Sequence, residues 1–362
     1  MSTVSRPPLR VLVVDDSAMN RRVLSGLLTA LPNVQVVGTA ADGDEALRVV
    51  NEKTPDLITL DLEMPRMDGF TFLRLLMASR PTPVIVISSH DGRESVFRAL
   101  ELGAIDFVAK PSAMLTGQTE AIRAQLEQVV ALVRQLAPSG PWRKSRSTSD
   151  LGAAAARQVS TRAESQPAAP RREPARVLGI AASTGGPTAL MELFAPLTDT
   201  SPNAIVVAQH MPERFTKSFA ERLDRSSRFR VREAEHLHEV VPGSAFVCPG
   251  GRCLELHRQD ERLVVRVAFP ASTDRHAPSA DRLFSSLART MGDRAIAVVL
   301  TGMGDDAAKG VIEVKKAGGM VLAEAEESAV VYGMPKAAVA TGCVDEQLPL
   351  QKLIHRICEL LA

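Results

Sequence analysis

The stretch LRVLVVDD at residues 9–16 decides the fold of the first half of the chain. Its apolar run ends in two carboxylates, the pattern of a strand that is buried on both faces and stops at a polar edge. Similar runs follow at 34–40 (VQVVGTA), 57–64 (LITLDLEM), 83–89 (PVIVISS) and 105–110 (IDFVAK). Between them, apolar residues recur at helical spacing. This alternation predicts a flavodoxin-like, doubly wound parallel sheet with helices on both faces.

A second α/β pattern occupies residues 176–362. Further buried parallel strands are predicted by RVLGIAAS, AIVVAQH, AIAVVLTGMG and MVLAEA. Between the second and third of these runs, LELHRQDERLVVRV at 254–267 predicts an antiparallel hairpin. We therefore expect a Rossmann-like α/β domain that carries a hairpin.

The segment between the two patterns, residues 138–175, is rich in Ser, Ala, Pro and Arg and predicts a flexible linker. Counting Lys and Arg against Asp and Glu, the net charge is −2 over residues 1–137, +4 over 138–175 and −1 over 176–362. We divide the chain at these boundaries. The basic linker is either a solvated tether or a docking segment for an acidic partner.

Composition excludes several classes of protein. With 43 Lys+Arg against 42 Asp+Glu, the formal net charge of +1 argues against a nucleic-acid binder driven by bulk charge. We find no secretory signal and no run of the ~18 residues that a membrane span needs, so we expect a cytoplasmic protein. The absence of a C-x-x-C pair argues against a disulfide framework or zinc site; the cysteines are Cys248, Cys253, Cys343 and Cys358.

Polar groups stand at the ends of the first-domain strands: Asp15 and Asp16, Asp61, Ser88 and Lys110. A single Asp at such a place is equally well explained as a helix N-cap. Carboxylates that converge on one rim repel each other unless a cation joins them, and oxygen ligands favour Mg²⁺. A lysine and a hydroxyl beside that cation suit phosphoryl oxygens. The set predicts a site that accepts phosphate on a carboxylate.

The motifs VVDDS, DLEMPRMDGF, ISS and FVAKP resemble the response-regulator receiver family, in family order. The resemblance implies Asp61 as the phospho-acceptor. It also implies that Mg²⁺ is bound by Asp15, Asp16, Asp61 and the Glu63 carbonyl. Ser88 and Lys110 are implied as phosphate sensors, and Phe107 as the switch aromatic.

In the second domain, LGIAASTGGP at 178–187 runs from a strand through a Gly-rich turn into a helix. A phosphate loop would have this shape, but no Lys follows the glycines and the G-x-G-x-x-G spacing is absent. Ser183 lies where amides at the helix start could stabilise an oxyanion beside its hydroxyl. It is not a G-x-S-x-G elbow, because Ala181 and Gly185 flank it.

A nucleophilic serine needs a base and a group that orients the base. Of seven histidines, His210 ends the strand at 204–210, on the same rim as Ser183, and His276 lies in a plausible substrate loop. Asp305 and Asp306 follow the strand at 295–304, where either could orient the imidazole. A structural role for each histidine, and a helix cap for the Asp pair, remain the alternatives.

The motifs IAASTGGP, AQHMP, LTGMG-x-D and VVYGMPKAA resemble the catalytic domain of the chemotaxis protein-glutamate methylesterases, the CheB family. The resemblance implies a triad of Ser183, His210 and Asp306, with the amides of Thr184 and Met303 as oxyanion candidates. One departure concerns the acid. The family usually reads Asn and then Asp-Gly where this chain has Asp305, Asp306 and Ala307, so the additional carboxylate could perturb the histidine or exchange roles with Asp306.

Together the two resemblances imply a phosphorylation-activated carboxylic ester hydrolase. It would hydrolyse γ-glutamyl methyl esters on chemoreceptors, deamidate receptor glutamines, and need Mg²⁺ in the receiver but no cofactor for hydrolysis. Implied partners are methyl-accepting chemotaxis receptors as substrates and a chemotaxis histidine kinase as phosphodonor. We expect a monomer that is peripheral to membrane receptor arrays, with the Phe107 face packed on the Ser183 rim before phosphorylation.

Three other functions are weighed against this one. A phosphorylation-dependent binding protein would have lost catalysis, and the residues at 305 and 307 leave room for that. A DNA-binding output domain is disfavoured by the −1 charge of 176–362 and by the lack of a helix-turn-helix. A generic serine hydrolase would share the triad but would turn over small esters freely.

Overall fold

The computed structural model describes residues 7–88, 93–109, 119–134, 173–197 and 202–362. Lys110, His90 and all of the predicted linker up to residue 172 lie outside the described residues. The linker boundaries therefore stay predictions. Residues 173–175, which we assigned to the linker, contact the second domain: Glu173 forms ion pairs with Arg258 (2.6 Å) and Arg294 (3.1 Å).

The first domain is a five-stranded parallel sheet in the order β2-β1-β3-β4-β5. Its strands are β1 Leu9–Val14, β2 Val34–Ala40, β3 Leu57–Leu60, β4 Val84–Ser88 and β5 Asp106–Ala109. Its helices are α1 Ala18–Thr29, α2 Gly43–Lys53, α3 Gly69–Ser79, α4 Arg93–Glu101 and α5 Thr119–Val133.

This sheet forms because its strands are apolar on both faces. β3 and β4 are buried at every position, and such strands need helices above and below the sheet. Polar side chains begin the helices that follow: Ser17, Asp42 and Asp68 each accept a hydrogen bond from an amide in the first turn of α1, α2 and α3. The winding direction reverses between β1 and β3, which opens a crevice at their carboxyl ends.

The second domain has a seven-stranded parallel sheet in the order β14-β13-β12-β6-β7-β9-β8. These strands are β6 Val177–Ala182, β7 Ala204–Gln209, β8 Arg230–Glu233, β9 Ser244–Val247, β12 Ala295–Val299, β13 Met320–Glu324 and β14 Glu346–Leu348. The helices are α6 Gly186–Phe194, α7 Glu213–Ser226, α8 Ala280–Met291, α9 Ala308–Lys316, α10 Met334–Ala340 and α11 Leu350–Leu361.

The fold class predicted from the sequence is confirmed. The antiparallel hairpin consists of β10 Cys253–Gln259 and β11 Arg262–Ala268, which pair over their full length. β14 was not predicted, because three residues carry too little periodicity to recognise. The four cysteines are free thiols. No helix among the described residues has the length and apolar character of a membrane span.

The two domains share one apolar core. Phe97 of α4 stacks on Phe219 of α7 with ring centroids 5.5 Å apart, and Phe107 of β5 lies 4.4 Å from Phe215. All four rings are buried. The contact therefore joins α4 and β5 of the first domain to α7, which begins just after β7.

Replacing glycine by alanine should have opposite effects on stability at two positions of the first domain. Gly26 is exposed in α1, where a Cβ would meet nothing within 4 Å, so Gly26→Ala should stabilise the helix by about 0.5–1 kcal/mol. At Gly69 a Cβ would lie 2.5 Å from the backbone oxygen of Asp61, so Gly69→Ala should destabilise the domain by ~1–3 kcal/mol. Calorimetric unfolding of the full chain measures both, and shifts of the same sign would contradict the prediction.

Candidate active site

Ser183, His210 and Asp306 lie just beyond the carboxyl ends of three neighbouring strands. Ser183 follows β6, His210 follows β7, and Asp306 lies in the loop after β12. β6 stands between the other two strands, and all three are parallel. The winding of the sheet reverses at β6, so the site occupies the switch point where α/β proteins bind their ligands.

The His210 ring is held by a carboxylate. Its Nε2 lies 2.8 Å from Oδ2 of Asp306, and both side chains are shielded from solvent. A partner at Nε2 leaves Nδ1 as the ring nitrogen that can exchange a proton at this strand edge. The pair has the arrangement by which an acid orients a general base.

Asp306 is poised to stay ionised. Its carboxylate also accepts hydrogen bonds from the amides of Ala280 (2.7 Å) and Asp281 (2.9 Å) at the start of α8. Burial acts to raise the pKa of Asp306, but the hydrogen bond from His210 and those from the amides hold it below its usual value. A negative charge is therefore present beside His210 at neutral pH.

The additional carboxylate at 305 does not compete for this place. Asp305 is exposed and its Oδ2 lies 3.5 Å from the guanidinium of Arg275. Ala307, where the family usually has glycine, is buried and adopts a left-handed φ of 94°. Its amide still donates to Asp306 (3.1 Å), so the departure from the family pattern leaves the His210 contact intact.

A tight turn presents Ser183. Its carbonyl accepts a hydrogen bond from the Gly186 amide (2.8 Å), and Gly185 between them has a φ of 78°. A Cβ on Gly185 would also lie 2.8 Å from Cβ of Val330. Glycine is thus required here by both conformation and space.

The two oxyanion candidates stand on loops that touch each other. A Cβ on Gly302 would lie 2.8 Å from Cβ of Ser183, so the loop after β12 packs directly on the turn at residues 183–186, the candidate nucleophile turn. Within the described part of the chain, no hydrogen bond from the amide of Thr184 or Met303 is found. Both amides are therefore available to an anion near Ser183.

His276 contributes more than its sequence indicated. Its ring stacks on His210 with centroids 4.9 Å apart and an interplanar angle of 18°. Burial lowers the pKa of His276, and the neighbouring His210 lowers it further. The stacking supports the ring of the candidate base, and its only sequence signal was a histidine in the loop between β11 and α8.

Three buried polar residues were missed from the sequence. Gln209 ends β7, Thr301 follows β12, and Glu324 ends β13; each is about 1% exposed. Glu324 accepts hydrogen bonds from the Thr301 amide (2.8 Å) and the Ser328 hydroxyl (2.9 Å). Burial raises its pKa to about 7. In the sequence, the only feature that marks these three residues is that each is a polar residue at the end of an apolar run.

The first domain presents an acidic pocket at its own switch point. The carboxylate oxygens of Asp15, Asp16 and Asp61 lie within 4.8 Å of one another, with Asp16 exposed. Asp15 is oriented by hydrogen bonds from the Ser17 amide (2.9 Å) and Asn20 (3.1 Å). An oxygen-only donor set that is open to water fits Mg²⁺.

Other predicted residues surround this pocket. The Glu63 amide lies 3.4 Å from Oδ1 of Asp61, and Ser88 ends β4 beside it. Lys110 is outside the described residues. Phe107 packs on Phe215 of the second domain.

The same face of the first domain contacts the nucleophile turn. Asp106 accepts a 2.7 Å hydrogen bond from the hydroxyl of Thr184, the residue after Ser183. Burial raises the pKa of Asp106, and hydrogen bonds from Thr184 and the Phe107 amide offset the effect in part. Glu101 of α4 forms an ion pair with Arg222 of α7. The expected packing of the Phe107 face on the Ser183 rim is what the structure shows.

These features define a class: a receiver-type domain seated on the rim of an α/β domain in which a His–Asp pair stands beside a serine. Residues 11–120 match the response regulator receiver domain family, and residues 178–357 match the CheB methylesterase family. The chain belongs to the CheB methylesterase family.

Relatives match along nearly the whole chain. The protein is 46% identical to "Protein-glutamate methylesterase/protein-glutamine glutaminase 3" of Geobacter sulfurreducens, over 98% of both chains. It is 50% identical to the protein numbered 6 of the same name in Anaeromyxobacter dehalogenans, over 98% of this chain and 96% of that one. The crystal structure of the Thermotoga maritima CheB methylesterase catalytic domain is 39% identical, with a TM-score of 0.50 over 51% of this chain and 98% of that chain.

The buried carboxyl of Glu324 predicts a pH-dependent stability. Its pKa is raised from 4.5 to about 7, so the unfolded chain loses this proton at lower pH than the folded protein. The free energy of unfolding should therefore fall as pH rises from 4.5 to about 7, and Glu324→Gln should remove this loss. Above pH ~7 the variant should be the more stable protein by up to about 3 kcal/mol.

Urea unfolding at pH 5 and pH 8 measures the difference. The matched control is Glu326→Gln, two residues further on at an exposed position. A stability difference between wild type and Glu324→Gln that is the same at both pH values would contradict the prediction.

Proposed function

We propose that this protein is a phosphorylation-activated protein-glutamate methylesterase. It hydrolyses γ-glutamyl methyl esters on chemoreceptors and deamidates receptor glutamines. The observation that carries the proposal is the 2.8 Å contact of His210 with Asp306 at the strand edge where β6 delivers Ser183. The family and the named relatives support the choice of substrate.

Acylation starts at the Ser183 hydroxyl. His210 takes the proton as Oγ attacks the side-chain carbonyl carbon, so a C–O bond forms and the carbonyl oxygen becomes an oxyanion. Asp306 holds the ring in one tautomer and stabilises the imidazolium. The amides of Thr184 and Met303 donate to the oxyanion, a contribution of about 3–4 kcal/mol per donor in serine hydrolases.

The tetrahedral intermediate then collapses. The bond to the methoxy group breaks, His210 gives its proton to the departing oxygen, and methanol leaves. In the second half, His210 takes a proton from water as the water attacks the acyl carbon. Ser183 recovers its proton and glutamate is released. With glutamine as substrate, ammonia leaves in place of methanol.

We assign phosphorylation to Asp61 of the receiver, with a chemotaxis histidine kinase as phosphodonor. Asp15, Asp16, Asp61 and the Glu63 carbonyl would hold Mg²⁺, which would offset the charge of the carboxylates and the phosphoryl group. Their convergence within 4.8 Å supports this role for the three aspartates. Ser88 and Lys110 are assigned to sense the phosphoryl group.

The receiver gates the esterase through the face that carries Phe107. Phe107 packs on Phe215, and Asp106 accepts a hydrogen bond from Thr184 next to Ser183. In this closed state a helical substrate would be excluded from the rim. Phosphorylation of Asp61 shifts β5 and with it both contacts, so the population moves toward an open state. The chemistry at Ser183 is unchanged by the switch.

Loss of the nucleophile should abolish activity. Receptor fragments with radiolabelled glutamyl methyl esters are incubated with wild type and Ser183→Ala, with and without a small-molecule phosphodonor and Mg²⁺. We expect wild type to release methanol, and to release it faster with phosphodonor. For Ser183→Ala we expect a loss of at least about 10³-fold.

No methanol from wild type under either condition would favour a non-catalytic binding protein. Hydrolysis of small esters as fast as receptor fragments would favour a generic hydrolase.

Breaking the contact between Asp106 and Thr184 should open the receiver. Thr184→Val keeps the proposed oxyanion amide but leaves the Asp106 carboxyl buried without this donor, which costs about 1–3 kcal/mol in the closed state. Methanol release without phosphodonor should rise at least about fivefold, and stimulation by phosphodonor should shrink. The control is Thr290→Val, whose hydroxyl bonds only within α8. Unchanged basal release in Thr184→Val would contradict this role of the contact.

A further inference from the structure

A chain of hydrogen bonds runs along the edge of the second sheet, through four neighbouring strands. It begins at Glu324 on β13, passes through Thr301 after β12 and Ser183 after β6, and ends at Gln209 on β7. Glu324, Thr301 and Gln209 are almost wholly buried. Polar groups are costly to bury unless they are hydrogen-bonded. The hydrogen-bond partners of these three residues therefore indicate what they do.

Thr301 holds the nucleophile turn at two points. Its carbonyl accepts a hydrogen bond from the Ser183 amide (3.0 Å), and its hydroxyl donates to the Thr184 carbonyl (2.9 Å). The hydroxyl also accepts from the Val331 amide (2.9 Å). Behind it, Glu324 accepts from the Thr301 amide. Every polar group of Thr301 is thus hydrogen-bonded, and two of these bonds hold the turn.

Gln209 holds the turn from the other side. Its Nε2 donates both to the carbonyl of Ser183 (2.9 Å) and to the carbonyl of His210 (3.0 Å). One amide group therefore ties the backbone of the nucleophile to that of the base. Among the described residues its Oε1 has no hydrogen-bond partner, so the side chain leaves its acceptor unused in order to make these two contacts.

We propose that Thr301 and Gln209 are positioning residues for ester hydrolysis, which hold Ser183 in register with His210, and that Glu324 anchors Thr301. The inference rests on the proposed function. Serine catalysis requires Oγ and the imidazole to be placed within a fraction of an ångström, and side chains that lock the turn from both sides supply that order before substrate binds.

The experiment measures reaction at Ser183 in two ways on the full chain, with phosphodonor and Mg²⁺ present. One is kcat and KM for methanol release. The other is the rate of covalent labelling of Ser183 by a fluorophosphonate. Three variants remove a hydrogen-bonding group: Thr301→Val loses only the hydroxyl, Gln209→Met loses the donor at similar length, and Glu324→Leu loses the acceptor. Thr301→Ser and Glu324→Gln are the conservative variants.

A matched control separates positioning from stability. Ser286 of α8 is a buried hydroxyl that, like Thr301, accepts from one backbone amide (Leu256, 2.9 Å) and donates to one carbonyl (Leu283, 2.8 Å). Its hydroxyl forms no hydrogen bond to Ser183 or His210 among the described residues. Thermal unfolding of Ser286→Ala and Thr301→Val compares the loss of stability in the two variants directly.

We expect Thr301→Val and Gln209→Met to lower kcat and the labelling rate by about 10- to 100-fold, with KM within about twofold of wild type. Thr301→Ser and Glu324→Gln keep the hydroxyl and the acceptor and should stay within about threefold, whereas Glu324→Leu should fall with Thr301→Val. Ser286→Ala should lose stability without loss of kcat.

The proposal is overturned if Thr301→Val and Gln209→Met label as fast as Ser286→Ala, or if Thr301→Ser is as slow as Thr301→Val. Failure of the proposed function looks different. Wild type would then label at Ser183 yet release no methanol, and the labelling rates of the variants would still decide the positioning question. Wild type that does not label at all would overturn both.

Discussion

The structure depends on one constraint: parallel strands deliver their carboxyl ends to a common edge. Both domains obey it, and in both the candidate reactive groups directly follow largely apolar strands. Asp15 and Asp61 follow β1 and β3. Ser183 and His210 follow β6 and β7. No long loop is needed to gather them, because hydrogen bonding between strands has already aligned the backbone.

This constraint explains why so much could be predicted from the sequence. A run such as AIVVAQH shows in seven letters both that a strand is buried and where it stops. The residue at that stop, His210, is then assigned to the rim without knowledge of the sheet order. The hairpin could also be predicted from the sequence, because its strands are separated by only two residues, Asp260 and Glu261. The family resemblance added roles to residues that the pattern had already placed.

What could not be predicted depends on contacts between distant segments. Asp305 and Asp306 are neighbours in sequence, and only the start of α8, where two backbone amides donate to Asp306, selects this residue for His210. The stacking of His276 on His210 arises from a loop 66 residues away along the chain. Likewise, Gln209 and Thr301 are recognisable as more than strand ends only when the partners of their hydrogen bonds are known.

The placement of Phe107 against Phe215 has a thermodynamic consequence. If the receiver gates the site as proposed, its Phe107 face is either packed on the rim or exposed to solvent, so rim occupancy and phosphorylation of Asp61 would be coupled equilibria. Linkage is reciprocal: by whatever factor a phosphoryl group favours substrate on the rim, substrate favours the phosphorylated receiver by the same factor. A receptor rich in methyl esters would thereby stabilise the phosphorylated receiver, and the enzyme would return to its covered state as its substrate is consumed.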